Sequence, residues 1–153
     1  MEKEPLKLVG AITILHILDG KIVEERELKN LIVNAGKAEA AGLLNGVTSG
    51  PFTYLAIGIG TTPAAAGDTA LQSEITTGGG ARASATCSRV TTAVTNDTAQ
   101  LVHEWTFSST FAVTEAGILD AAAAGNLLAR QVFSAINVVS GSKLEITWKV
   151  QVS

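Results

Sequence analysis

The clearest pattern along the chain is at its C-terminal end. Leu144, Ile146, Trp148, Val150 and Val152 alternate with Lys143, Glu145, Thr147, Lys149 and Gln151. A period of two is that of an antiparallel strand with one buried face. Leu101, His103, Trp105 and Phe107 set against Val102, Glu104, Thr106 and Ser108 predict a second strand of this kind. Residues 6–18 differ, because Leu, Ile and Val fall on both faces, which predicts a strand covered on each side. Asp19-Gly20 then reads as a type I′ turn, which needs positive φ at both central positions. The return strand, residues 22–28, carries Glu24, Glu25, Arg26 and Glu27, as expected of a charged edge that resists unplanned pairing.

Between these segments the pattern changes. Asn34 is placed as an N-cap for a helix over residues 34–44, with Ala38, Ala41, Leu43 and Leu44 on one apolar side. Asn45-Gly46 ends it with residues that tolerate the left-handed conformation. This helix is expected to close one end of the fold and to bury Leu43 and Leu44. Tyr54, Leu55, Ile57 and Ile59 form a strand, and Gly58 and Gly60 allow a bulge or close backbone packing beside it. Thr62-Pro63 forces an extended or turn geometry, and Asp68 is a candidate N-cap for a helical turn near residues 68–75. Residues 82–94 read as a weak Thr- and Ala-rich strand, and Asn96-Asp97 as a turn. Strands over 111–119 and 127–133 follow, separated by a loop at the alanines 121–124. Short strands bounded by turn signals predict a mainly β fold, an antiparallel β-sandwich or jelly-roll-like architecture. The expectation is a single domain over residues 1–153 with a short N-terminal arm, about residues 1–5.

Composition bears on the surface. Charged residues are only 16% of the 153 and hydrophobic ones 46%, so little charge is available to solvate an isolated subunit. That suits a surface partly covered by neighbours. A formal charge of -3 and a pI near 5.3 speak against nucleic acid, whose phosphates call for clustered Lys and Arg. Residues 1–5 lack the features of a secretory signal, and no apolar run approaches the ~18 residues of a membrane span. The expected product is soluble and cytoplasmic, without membrane insertion.

The candidate chemistry is sparse. His16 and His103 are not beside a Gly-x-Ser-x-Gly elbow and read as packed, structural side chains. These two histidines and the single Cys87 have no metal-ligand spacing, and one cysteine cannot form an intrachain disulfide. Cys87 reads as a small buried or half-buried residue. Neither Gly58-Ile59-Gly60 nor Gly78-Gly79-Gly80 is followed by the helix and Lys-Ser/Thr pair of a phosphate cradle; a bulge and a mobile loop are expected instead. Glu104 and Glu115 are the carboxylate pair to consider for glycoside cleavage, which would need them roughly 5–10 Å apart. Trp105, Trp148, Tyr54 and Phe107 could stack on sugars, but the two tryptophans lie on apolar strand faces and belong to the core. No catalytic, cofactor-binding or metal residue is assigned, and no cofactor is expected.

Four blocks carry a likeness: KNLIVNAG at 29–36, YLAIGIGTTPAAAGDTALQSE at 54–74, TEAGIL at 114–119 and LLARQVFS at 127–134. With these in this order, the chain resembles a family of small virion structural proteins of tailed bacteriophages, from about residue 19 to the C-terminus. The resemblance implies a non-enzymatic protein made in the host cytoplasm and built into the virion. A capsid decoration (cement) subunit is the leading expectation, since the chain is short and shows no collagen-like or coiled-coil repeat and no receptor-binding domain. A tail-fibre or tail-tip component is the alternative, and a glycan-binding module or polysaccharide depolymerase ranks behind both. Expected partners are further copies of the chain, with a trimer leading by family analogy, and the major capsid protein or other virion proteins. Leu6, Leu8, Ile12, Ile14, Leu15 and Ile17 are the expected intersubunit contact, because a strand apolar on both faces exceeds the needs of one sheet.

Overall fold

The computed structural model describes residues 4–153, so residues 1–3 of the expected arm lie outside the described residues. In chain order the elements are β1 (Leu8–Leu18), β2 (Lys21–Lys29), β3 (Leu31–Ile32), α1 (Asn34–Asn45), β4 (Tyr54–Gly58), β5 (Ala83–Ser84), β6 (Thr86–Val90), β7 (Thr98–Thr106), β8 (Phe111–Leu119), β9 (Leu127–Val138) and β10 (Lys143–Val152). They form two five-stranded sheets, ordered β2-β1-β10-β7-β6 and β3-β9-β8-β4-β5. Every pairing is antiparallel, and the two inner faces enclose the core of a β-sandwich. Among the described residues no helix is long and apolar enough to cross a membrane.

The alternating segments take the central positions. β10 lies between β1 and β7 and buries Leu144, Ile146, Trp148 and Val150; β7 buries Leu101 and Trp105, and Phe107 just after it is also in the core. Trp105 donates its indole N–H to the Ala81 carbonyl at 2.8 Å. Trp148 reaches the Asn30 amide oxygen at 3.3 Å, in the amide orientation that also lets Asn30 donate to the Gly10 carbonyl. Gly10 is required there, since a Cβ would overlap the Asn30 side chain. His16 is buried and bonded through Nε2 to Ser142 Oγ at 2.9 Å, as a packed structural histidine.

The hairpin turn has φ of 52° at Asp19 and 73° at Gly20, and β2 is the sheet edge its charge predicted. β1 departs from expectation. Gly10, Ile12, Ile14 and His16 face the core, while Val9, Ala11, Thr13, Leu15 and Ile17 face outward. No second layer covers that outer face among the described residues. Leu15 instead stands between Glu25 and Glu145 in the register, and Ile17 beside Lys143, whose aliphatic stems leave both half-buried.

Five further expectations are corrected. Val33, not Asn34, is the N-cap of α1, with no side-chain capping bond; the Asn34 N–H donates to the Ala66 carbonyl at 2.8 Å. The buried residues of α1 are Gly36 and Gly42; Leu43 is half-buried and Leu44 is 80% exposed. Residues 68–75 contain no helical turn: Glu74 bridges Gly58 and the Ile75 N–H donates to Ile57, so the segment runs extended beside β4. The weak strand over 82–94 is two strands in different sheets, because the chain passes at Ala85 from the edge of one to the edge of the other. Glycines 78–80 are packed: a Cβ at Gly79 would meet the Thr106 carbonyl, and Gly80 lies against Ile75 and Phe107.

Candidate assembly surface

The blocks that carry the family likeness lie far apart in sequence and meet at one place. Glu115, on β8, is fully buried, and its Oε1 accepts the N–H groups of Gly60 at 3.1 Å and Ser73 at 2.7 Å. Its Oε2 accepts the Gln72 N–H at 3.0 Å and Arg130 Nε at 2.9 Å. Arg130, on β9 and also buried, donates through Nη1 to Asp68 at 2.9 Å and through Nη2 to the Thr62 carbonyl at 3.0 Å. Burial pushes the Asp68 carboxyl up, but the Ala65 N–H and the Arg130 guanidinium outweigh it and hold it below its ordinary value. Asp68 thus closes a loop rather than capping a helix. A Cβ at Gly58 or Gly60 would strike the Glu115 carboxylate, which explains glycine at both positions.

This knot holds residues 59–75 against β8 and β9 through the Glu115 carboxylate. Each of its oxygens is engaged by the framework. Glu104 stands on β7 in the other sheet, exposed and 3.3 Å from Lys143, so the two glutamates do not form a site. His103 packs edge-on to Trp105, with ring centroids 4.7 Å apart; burial lowers its pKa against the opposing pull of Glu104. Cys87, expected to be buried or half-buried, is exposed on edge strand β6. Neighbouring atoms still desolvate the sulfur and push the thiol up, away from a reactive thiolate.

The larger apolar feature lies at the end of the sandwich where β1 begins and β10 finishes. Leu6, Leu8 and Val9, with Val152 of β10, face Ala40, Ala41, Leu43 and Leu44 of α1 across an open groove of about 730 Å³. Lys7 and Lys37 are its charged lining residues, and among the described residues neither has an ion-pair partner. The groove exists because α1 docks through glycine. A Cβ at Gly36 would collide with the Leu128 backbone, so the bare helix face meets β9 and the leucines project elsewhere.

The six expected contact residues therefore separate. Ile12 and Ile14 are 1% and 0% exposed, inside the subunit's own core, and cannot meet a neighbour. Leu15 and Ile17 are half-buried on the outer sheet face. Leu6 and Leu8 belong to the groove, joined there by the α1 leucines that sequence reasoning placed inside. The Glu115–Arg130 pair also escaped that reasoning. Its signal was a single opposite charge in each of two otherwise uncharged segments, TEAGIL and LLARQVFS.

Compared with known proteins, residues 33–149 match the family described as Podophage GP4 fiber I protein gp80. No curated protein and no solved structure matches the chain.

Proposed function

Since the chain belongs to the Podophage GP4 fiber I protein gp80 family, matched over residues 33–149, we propose that it is a non-catalytic structural subunit of a virion fibre. The family description carries this reading and favours the fibre over the capsid-decoration role. The geometry is in keeping with it. Glu115, the carboxylate best placed to suggest chemistry, is consumed in holding loop 59–75. The apolar groove supplies a surface suited to protein contact rather than to water. Self-association belongs to the proposal, with a threefold assembly as its leading symmetry, alongside contact with other virion proteins.

Quantitative mass spectrometry and immunogold labelling of purified particles test it. A low copy number with label on a tail appendage is expected. A copy number on the scale of the capsid shell, with label over the head, would replace the fibre by capsid decoration. Turnover of a host polysaccharide by the purified chain, lost in Glu104→Gln, would overturn the non-catalytic role.

A further inference from the structure

The groove has a counterpart at the other end of β1. The register of β1 with β2 slips between His16, opposite Glu24, and Ile17, opposite Ile22, so Val23 is a bulged residue without a cross-strand partner. A bulge breaks the alternation of faces and turns side chains outward. Ile22 and Val23 are accordingly 59% and 53% exposed, side by side on an edge strand. Residues 19–25 also carry Asp19, Glu24 and Glu25 against the single Lys21. Glu24 is engaged by Arg26, while Asp19 and Glu25 have no ion-pair partner among the described residues.

Two patches thus lie at opposite ends of an 11-residue strand, about 35 Å apart at the usual rise per residue. One is concave, apolar and lined by Lys7 and Lys37. The other protrudes, presents two aliphatic side chains and is net acidic. Shape, apolar character and charge sign are all complementary. A groove-to-groove contact would instead bring lysines together, and a tip-to-tip contact would bring carboxylates together, both costly arrangements.

We propose that the groove of one copy receives the β1–β2 hairpin tip of a second copy, with Ile22 and Val23 seated among Leu6, Leu44 and Val152 and the tip carboxylates facing Lys7 and Lys37. The contact is heterologous. Such contacts close into rings or extend into stacks according to the rotation between copies, so a threefold assembly is compatible with it. The inference rests on the groove being an assembly surface, as proposed above, and names what fills it.

Mixing separates this contact from groove-to-groove and tip-to-tip contacts. The full-length chain is compared by sedimentation velocity with Leu44→Asp, which spoils the groove, and Val23→Asp, which spoils the tip. Both positions are exposed, and melting curves check that each variant folds. Each variant alone should self-associate more weakly than the wild type by on the order of tenfold or more. An equimolar mixture should form a dimer and nothing larger, because one intact groove and one intact tip remain per pair. Lys37→Glu should weaken association, and pairing it with Glu25→Lys in the same chain should restore it. The proposal fails if the wild type is monomeric at every concentration, if Val23→Asp has no effect, or if the mixture stays monomeric. A chain found in virions that behaves in any of these ways would lose this contact and keep its fibre role.

Discussion

Glu115 shows how much one side chain organises. Its fully buried carboxylate accepts three backbone N–H groups from residues 60–73 and the buried Arg130 guanidinium. Removing it strands those donors and leaves the buried Arg130 guanidinium with only the partly exposed Asp68 as counter-charge. Glu115→Ala is expected to cost about 3–5 kcal/mol in a reversible urea titration, the usual penalty for breaking a buried pair. A loss below about 1 kcal/mol would show that the loop is held by other means. Asp97 is a half-buried case of the same logic. It accepts the N–H groups of Thr92, Ala93 and Val94, the Thr98 hydroxyl and the Gln151 amide. These bonds, that to Val94 first, hold its carboxyl well below the ordinary value of 3.8. A folded pKa below the unfolded one stabilises at neutral pH, and that stabilisation is lost as pH falls from about 4 towards the folded value. Asp97→Asn should therefore melt lower than wild type at neutral pH, and its melting temperature should fall less on acidification. Equal acid dependence in the two proteins would count against this role.

Among the elements, α1 turns expectation over. Its apolar leucines suggested a helix pressed inward by large side chains, yet Gly36 and Gly42 make the buried face. Gly36 lets the helix backbone approach Leu128, and Gly42 leaves room for Thr48, whose N–H donates to the Gly42 carbonyl at the helix end. Gly36→Ala should then cost about 1–3 kcal/mol by overpacking. Leu43→Ala, at a half-buried site, should cost less than the ~2 kcal/mol at which buried leucines begin. Thermal melts of the two variants should rank them in that order, and the reverse order would place Leu43 in the core. β2 is guarded as an edge strand by its charge, and Arg26 also reaches across the sandwich to Ser134 of β9, at 2.7 Å from its hydroxyl. An inward-turned charge of this kind discourages pairing along the edge.

At the scale of the whole molecule, the residues that hold the subunit together are distinct from those proposed to assemble it. The Glu115 knot and the sandwich core make the subunit; the groove and hairpin tip lie outside both. Leu44→Asp should accordingly keep the wild-type melting temperature within the roughly 0.5 kcal/mol typical of surface changes, while reducing incorporation into particles when supplied in place of the wild-type protein. Incorporation at the wild-type level would remove the groove from assembly. The low charge of the chain also takes a specific form here. The outer face of β1 is screened by the stems of neighbouring Glu and Lys side chains, while exposed apolar side chains stand at both ends of the strand, with Val47, Ile59, Val94 and Val139 exposed elsewhere.

Much of the architecture was legible in residue order because strand alternation, the Asp19-Gly20 turn and the Gly46 helix stop are local facts. Each depends on φ, ψ and the side chains of near neighbours. The same holds for the tryptophans of β7 and β10, which follow their strand faces into the core. Tertiary structure decided what local rules leave open. Asp68 had the makings of a cap, but Arg130 and the Ala65 N–H claimed its carboxylate, and the Gly58–Glu74 bridge claimed the backbone that a helix would have used. Leu43 and Leu44 had the spacing of a buried face, but a glycine face docks closer to a strand than any leucine can, and closer packing won. Whether an apolar residue is core or contact depends on which face the rest of the chain reaches first. For Ile12 and Ile14 that was the opposing sheet, and among the described residues none covers Leu6 or Leu44.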